Sequence, residues 1–153
     1  MRKATSLVCI LMFLTVAASA STIRVPIDAP TIAEGLSLAD RGDTVLVACG
    51  SYLEHGIIMV SGVVLRSEGG EADCVFENNH AIFGGGILCM YSNPLIERCL
   101  FQANSADGDG AMTLFRSSPE IIDCEFLGNT GSVDGPGAIW CRYSSPSLLR
   151  CIF

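Results

Sequence analysis

Eight cysteines give this chain its most reactive side chains, and four of them recur at a regular spacing. Each of the four is followed two residues later by a phenylalanine, with steps of 25, 25 and 27 residues between them: Cys74, Cys99, Cys124 and Cys151. A repeat of this length predicts a solenoid, in which one supersecondary unit stacks on the next. The four thiols are therefore expected to form one column.

Two states of this thiol column are compatible with the residues. Cysteines one coil apart have Cα separations within the range of about 4.4–6.8 Å that a disulfide needs, but directly stacked side chains point the same way. A buried thiol also packs well as a small hydrophobe. We expect a mostly reduced interior ladder, and a disulfide between neighbouring coils is the alternative. Because no histidine joins the column, we assign no metal site to it.

Acidic residues offer two further candidate sites. Asp107 and Asp109 lie in an Asp-Gly-Asp-Gly turn, and Asp134 precedes a glycine in a later loop. Such turns can hold Ca²⁺, but the further acid expected at loop spacing is missing, which favours solvated turn residues. Glu54 and His55 resemble an acid–base pair, yet no third group accompanies them and His80 is distant in sequence. We assign no catalytic, metal-binding or cofactor-binding residue, and no cofactor.

A column of aromatic and arginine side chains is a candidate for binding. Its members stand three residues before the prolines of successive repeats: Tyr91, Arg116 and Tyr143. The positions just before them hold Met90, Phe115 and Arg142. Outward rings and guanidinium groups on a solenoid face can form a platform for sugars. The same residue types also occur where side chains merely cover a loop and bind nothing, so both interpretations stay open.

The repeat also predicts which side chains face the interior. Because the cysteine and phenylalanine of each unit are separated by one residue, both columns point inward from a strand. A further apolar column consists of Ile96, Ile121 and Leu148. The residues just before the four cysteines alternate in charge, which indicates that they stack: Asp73, Arg98, Asp123 and Arg150.

Asparagines end the segments that follow each phenylalanine. They recur in the same frame as Asn79, Asn104 and Asn129. Asparagine tolerates a left-handed backbone, and stacked amides can hydrogen-bond along a column. We predict that these residues make the left-handed corner of each coil and form an amide ladder.

The segment before the repeats predicts short strands and one helix. Strands are expected at residues 22–26, 43–49, 57–60 and 63–65. Thr31 and Glu34 have the spacing of a capping box, and apolar residues then recur at helical spacing. We predict a capping helix at residues 31–40. It would cover the open end of the stacked strands.

The first twenty residues resemble a secretory signal peptide. Arg2 and Lys3 precede an apolar run, and Ala18-Ser19-Ala20 provides a cleavage site. The domain prediction is a signal peptide at 1–20 and a β-helix domain at 21–153, with clear repeats at 74–153. Because Phe153 ends the chain within a repeat, we expect it to be the front portion of a longer secreted, extracellular or surface protein.

Charge limits the partners of the mature chain. The whole chain has a net charge of −7, and removal of Arg2 and Lys3 would leave seven arginines, no lysine and sixteen acids. Such a surface repels nucleic acid and anionic lipid, so we predict no nucleic acid partner and no membrane insertion of the mature domain. It also disfavours an anionic polysaccharide without a bridging cation.

Two stretches carry a family resemblance. Gly84-Gly85-Gly86-Ile87 and Tyr91 to Phe101 resemble the right-handed parallel β-helix repeat of the pectin-lyase-like superfamily. The alternation of Gly-Gly-Ile with Phe-x-x-Asn is similar to repeats of the polymorphic outer-membrane protein family. The resemblance implies an all-β, right-handed parallel β-helix of four to five coils. The scaffold serves lyases, hydrolases, esterases and adhesins, so it implies no single activity.

Two functional hypotheses follow. The first is a non-catalytic scaffold for adhesion or carbohydrate recognition, with a polysaccharide or another surface protein as partner. The second is the N-terminal part of a polysaccharide-active lyase or hydrolase. The acid, arginine and lysine patterns of the enzymes with this fold are absent from these 153 residues, which favours the first.

Overall fold

The computed structural model describes residues 19–70, 72–132 and 135–153. Asp134 therefore lies outside the described residues, as do the first eighteen residues of the predicted signal peptide. In the described part of the chain no helix is long and apolar enough to cross a membrane.

Sixteen short strands and one helix make up the described chain. In order they are β1 (Thr22–Val25), α1 (Ile32–Leu38), β2 (Thr44–Val47), β3 (Gly50–Tyr52), β4 (Ile57–Ile58), β5 (Val64–Ser67), β6 (Cys74–Glu77), β7 (His80–Ala81), β8 (Ile87–Met90), β9 (Leu95–Glu97), β10 (Cys99–Gln102), β11 (Ser105–Ala106), β12 (Met112–Phe115), β13 (Glu120–Ile122), β14 (Glu125–Leu127), β15 (Ile139–Arg142) and β16 (Ser147–Leu149).

The strands form parallel sheets along the sides of one coil. Sheet I has the order β1-β2-β5-β9-β13-β16, sheet II the order β14-β10-β6-β3 and sheet III the order β15-β12-β8-β4, with the pair β11-β7 between sheets II and III. The chain passes repeatedly from sheet I to II to III, making about five turns of about 25 residues. The predicted right-handed parallel β-helix is confirmed.

Identical residues of successive coils lie directly over one another in the core. Phe101 is paired in register with Phe76 and with Phe126. The rings are stacked, with centroids 4.8 and 4.9 Å apart, and Phe153 continues the stack at 5.2 Å from Phe126. These distances match the spacing of neighbouring strands. The column predicted from the 25-residue period is therefore present.

The cysteine and isoleucine columns also face inward as predicted. Cys74, Cys99 and Cys124 are fully buried, as are Ile96 and Ile121. Leu148, in the last strand of sheet I, is paired with Ile121 and is 46% exposed. The core is thus built from columns of like side chains, which requires every coil to keep the same register.

The asparagine column forms the predicted amide ladder. The backbone N–H of Asn79 donates to Oδ1 of Asn104 over 3.1 Å, and the N–H of Asn104 donates to Oδ1 of Asn129 over 2.9 Å. Each side-chain amide also donates to a carbonyl of the preceding coil, as Asn104 does to Phe76 over 2.7 Å. Buried backbone groups at this corner are thereby satisfied.

The predicted left-handed backbone of these asparagines is wrong by one position. Positive φ angles occur instead at the residue before each asparagine: 54° at Asn78, 51° at Ala103 and 59° at Gly128. The asparagine side chain must point inward to reach the neighbouring coil, so the bend is made by the residue whose side chain points away. Asn78 and Gly128 suit this conformation, whereas Ala103 does not.

Ala103→Gly should therefore stabilise the protein. Relief of a left-handed alanine is worth about 1 kcal/mol after allowing for the greater flexibility of glycine in the unfolded chain. The reciprocal change at the same corner, Gly128→Ala, should destabilise by a similar amount. Urea denaturation of both variants measures the two changes in stability. Shifts of the unfolding midpoint in the same direction would contradict the left-handed conformation of these two residues.

The residues before the cysteines stack only partly as an ion-pair ladder. Arg150 donates to Asp123 through Nη2 over 2.7 Å, and this hydrogen bond lowers the pKa of Asp123. Asp73 instead accepts a hydrogen bond from the Cys49 thiol, at 3.6 Å. Arg98, Asp123 and Arg150 all have φ between 52° and 55°, so this column marks a second left-handed corner.

The capping helix is shorter than predicted and is held differently. It begins at Ile32 rather than 31 and ends at Leu38, with Thr31 accepting the N–H of Glu34 over 3.1 Å. Glu54 adds a cap that was not predicted, because its carboxylate accepts the N–H groups of Ile32 and Ala33 at 2.9 and 3.0 Å. A carboxylate at a helix N-terminus satisfies donors that the helix leaves free.

Candidate functional site

The outer face of sheet III carries apolar and aromatic side chains where solvent-facing polar residues are usual. Strand alternation points one set of side chains into the core and the other outward. One outward row is formed by Ile58, Leu88, Thr113 and Trp140. The next outward row is formed by Met90, Phe115 and Arg142. Thr113 is buried at 3% exposure, whereas Ile58 and Met90 are 63% and 46% exposed. A mostly apolar outer face with exposed members of this kind is typical of an interaction surface.

The predicted column of Tyr91, Arg116 and Tyr143 borders this face. All three have φ near 50°, because they form the corner between sheets III and I. The guanidinium carbon of Arg116 lies 5.6 Å from the Tyr91 ring centroid and 5.7 Å from that of Tyr143. Arg116 is thus held between two tyrosines of the neighbouring coils by cation–π contacts. The predicted stacking is confirmed.

The second row extends this cluster. Phe115 meets both tyrosines edge to face, with ring centroids 5.7 Å from Tyr91 and 6.1 Å from Tyr143. Arg142 lies 5.4 Å from the Tyr143 ring centroid and 6.0 Å from that of Phe115. Tyr91 and Tyr143 remain 62% and 71% exposed. The tyrosine rings and the guanidinium N–H groups of this cluster are therefore accessible to a ligand.

Three adjoining depressions run along this side of the solenoid, and we call them together the axial groove. The first, of about 370 Å³, lies beside α1 at Ile58; the second, of about 450 Å³, at Ile82; and the third, of about 260 Å³, at Phe115 and Trp140. The first two share His55 and Gly56. The second and third share Phe83 and Leu88. The three depressions therefore adjoin one another along successive coils.

The groove brings together two histidines that the sequence keeps apart. His55 and His80 line the same depression. His80 contacts Ser105 through Nδ1 at 2.9 Å and Asp107 through Nε2 at 3.4 Å. This set has the residue types of a nucleophile, a base and an orienting acid. Sequence reasoning missed it, because Ser105 and His80 meet only through strand pairing one coil apart.

The local backbone does not support catalysis by this set. The N–H groups of Ser105, Ala106, Asp107 and Gly108 all donate to carbonyls of neighbouring coils. Acyl transfer needs free donors for the developing oxyanion. His80 and Asp107 are also 63% and 66% exposed in their side chains, so water is not excluded. We interpret His80, Ser105 and Asp107 as polar side chains that hydrogen-bond to one another beside the groove and have no catalytic role.

The other acidic candidates have structural partners. Asp109 is buried and accepts a hydrogen bond from Thr113 Oγ1 at 2.7 Å, whereas Asp107 contacts His80. The two carboxylates of the turn thus serve different neighbours. Glu54 caps α1 and is not paired with His55. Among residues 19–70, 72–132 and 135–153, no three metal-binding side chains cluster.

All seven described cysteines are free thiols. Burial raises the pKa of Cys89 to about 12. The hydrogen bond with Cys99, together with burial, raises the pKa of Cys124 far above its usual range. Since the thiolate is the reactive form, these interior thiols are inert in the folded state.

Thiol labelling should therefore divide the cysteines into two classes. Cys49 and Cys141 are exposed and should react with a thiol reagent in the native protein, with Cys141 slower because burial raises its pKa. Cys74, Cys89, Cys99 and Cys124 should react only after unfolding. Mass spectrometry of the labelled peptides gives the readout, with Cys49→Ser as the control. Native labelling of Cys99 at the rate of Cys49 would refute the buried ladder.

The parallel sheets, stacked in register coil upon coil, define a β-helix repeat protein. Residues 52–153 match the family model described as right handed beta helix region, so the chain belongs to this family. No curated protein and no solved structure matches the chain. A right-handed β-helix domain fits a surface or carbohydrate-related protein. Membership of the pectin-lyase-like superfamily and similarity to polymorphic outer-membrane proteins stay predictions.

Proposed function

We propose that this chain is a non-catalytic scaffold of a secreted or surface protein and that it recognises carbohydrate along the axial groove. The observation that carries the proposal is the cluster of Arg116 and Arg142 with exposed rings at one end of an apolar groove. Sugars combine apolar C–H faces with hydroxyl groups at their edges. The groove offers an apolar floor for the faces, and the guanidinium N–H groups are donors to the hydroxyls.

The same arrangement argues for binding rather than turnover. Hydrolysis of a glycosidic bond uses two carboxyl groups on either side of the bond. The residues that line the three depressions include no carboxylate, and the carboxylates of Asp107 and Asp109 contact His80 and Thr113. Recognition through such a face would suit adhesion of the parent protein to a glycan-coated surface.

A glycan array followed by calorimetry tests the proposal. We expect the expressed chain to bind a subset of glycans, and Tyr143→Ala to weaken that binding about tenfold through loss of one aromatic contact. Leu127→Ala is the matched control, because Leu127 is also exposed but lies on sheet II. Absence of binding to every glycan would refute a recognition role. Release of new reducing ends from a bound glycan would instead support the polysaccharide-active enzyme.

A further inference from the structure

We propose that α1 is an acid-released cap: when the carboxylates of Asp43 and Glu54 are protonated, the helix detaches from the first coils while the remaining coils stay folded. This inference does not depend on what the axial groove binds. It rests on the two carboxylates, which hold opposite ends of the helical segment. Release would uncover β1, β2 and β4, against which the helix packs.

Each end of the helical segment is fastened by one carboxylate. At its start, the two oxygens of Glu54 accept the N–H groups of the first two residues of α1 at 2.9 and 3.0 Å. After its end, the oxygens of Asp43 accept the N–H groups of Ser21 and Asp40 at 2.8 and 2.9 Å. An ionised carboxylate accepts at both oxygens, whereas protonation turns one of them into a donor. Acid therefore removes hydrogen bonds at both ends.

The helix is too short to persist without these attachments. It has seven residues, and isolated helices shorter than about 12–15 residues are marginal in water. Its packing consists of the buried side chains of Ile32 and Leu36 and of Gly35, where an added Cβ would lie 3.0 Å from the Val25 side chain. Elements with few contacts open before the core of a protein does. Loss of the two carboxylate contacts should therefore act on α1 first.

The remaining coils are held mainly by groups that keep their charge state in acid. The stacked rings of Phe76, Phe101 and Phe126 are apolar, and the amide of Asn104 joins neighbouring coils through neutral hydrogen bonds. The ion pair of Arg150 with Asp123 is partly exposed, and such pairs contribute little to stability. Acid should therefore leave the stacked coils in place.

The direction of the pH effect follows from Asp43. The hydrogen bonds from the Ser21 and Asp40 N–H groups lower the pKa of this carboxyl in the folded protein. A carboxyl with a lowered pKa stabilises the fold fully above its ordinary pKa, and this contribution is lost as the pH falls through the lowered value. The effect at Asp43 therefore begins below about pH 4.

Neighbouring charges do not hold the two carboxylates in place. Within the described residues, no ion pair includes Asp43 or Glu54. The other ionisable side chains of α1 and the adjoining segments are Arg24, Asp28, Glu34, Asp40, Arg41, Tyr52 and His55. Salt screens exposed ion pairs strongly, but short hydrogen bonds to N–H groups much less. Release of the cap should therefore depend on pH and hardly on salt.

Hydrogen exchange of the expressed chain, measured by mass spectrometry at pH 7 and at about pH 2.5, tests this proposal. After correction for intrinsic exchange rates, we expect the protection of α1 to fall about tenfold or more in acid, and that of β6 and β10 to change less than about twofold. Asp43→Asn and Glu54→Gln should lower the protection of α1 severalfold at pH 7. Glu77→Gln, which removes a carboxylate from sheet II, should not.

Three results would overturn the acid-released cap. The first is unchanged protection of α1 in acid, and the second is loss of protection in α1, β6 and β10 together, which is global unfolding. The third is opening of α1 at pH 7 on addition of salt. If Asp43→Asn does not fold, the unmodified chain and Glu54→Gln decide the question. Binding or absence of binding to glycans bears only on the proposed function.

Discussion

Replacing Phe101 with alanine should lower the free energy of unfolding by about 3–5 kcal/mol, the range found for large aromatic side chains removed from a packed core. Phe101 is fully buried and lies between two parallel rings, with interplanar angles of 11° to Phe76 and 9° to Phe126. The cavity would open in the middle of the stack. Both neighbouring rings would lose a partner at once, and the rigid coils above and below leave little room for collapse.

Urea denaturation followed by circular dichroism measures this effect. Phe83→Ala is the matched control, because it removes the same side chain from a position that is 53% exposed. Its effect should lie within about 0.5 kcal/mol of zero. If Phe101→Ala and Phe83→Ala shift the unfolding midpoint equally, the ring stack does not hold the coils together.

Asn104→Ala should be the second most destabilising change, at about 2–5 kcal/mol. The Asn104 side chain accepts the N–H of Asn79 and donates to the Phe76 carbonyl, and the residue is fully buried. Its removal leaves two backbone groups in the interior without partners, each of which costs about 1–3 kcal/mol. The loss should therefore exceed that of an ordinary hydrogen bond.

An exposed asparagine of the same corner provides the comparison. Asn78 has a left-handed backbone, so Asn78→Gly preserves the conformation and removes only the exposed side chain. We expect this change to be nearly neutral by the same denaturation measurement. A cost for Asn78→Gly as large as that for Asn104→Ala would mean that the corner depends on backbone conformation and that the amide ladder contributes little.

The interior of the solenoid could be predicted from the sequence because it depends on two periods alone. Spacing of about 25 residues places like residues in one column, and alternation within a strand separates inward from outward positions. These two rules place Cys99, Phe101 and Ile121 correctly. They carry no information on φ, and for this reason the left-handed corner was predicted at Asn104 although Ala103 adopts it.

The groove could be predicted only in part, since it depends on loops that do not repeat. The column of Tyr91, Arg116 and Tyr143 shares the frame of the prolines and was found from the sequence. Ile82 and Phe83 belong to a loop between the asparagine column and the next strand, and the length of this loop differs between coils. Contacts between residues such as His80 and Ser105 likewise require the register of β7 and β11.

The role of Glu54 shows a further limit of local patterns. The spacing of Thr31 and Glu34 predicts that the helix caps itself, and Thr31 does accept the expected hydrogen bond. The first two N–H groups of the helix, those of Ile32 and Ala33, are instead accepted by Glu54, about twenty residues away in the sequence. A carboxylate so placed ties the helix to the first coils, and no rule based on neighbours along the chain can identify it.

The equivalence of successive coils has a consequence for how such a protein can diversify. Residues 99–123 and 124–150 correspond strand by strand, with the two additional residues of the second stretch in a loop, and each stretch begins and ends at the cysteine column. A recombination event that duplicated one stretch would insert a complete turn whose surfaces already fit both neighbours. The molecule would become longer by one strand spacing, and its outer faces would grow with it. Genomic gain or loss of whole coils can thus change the length of the molecule without redesign of any single contact.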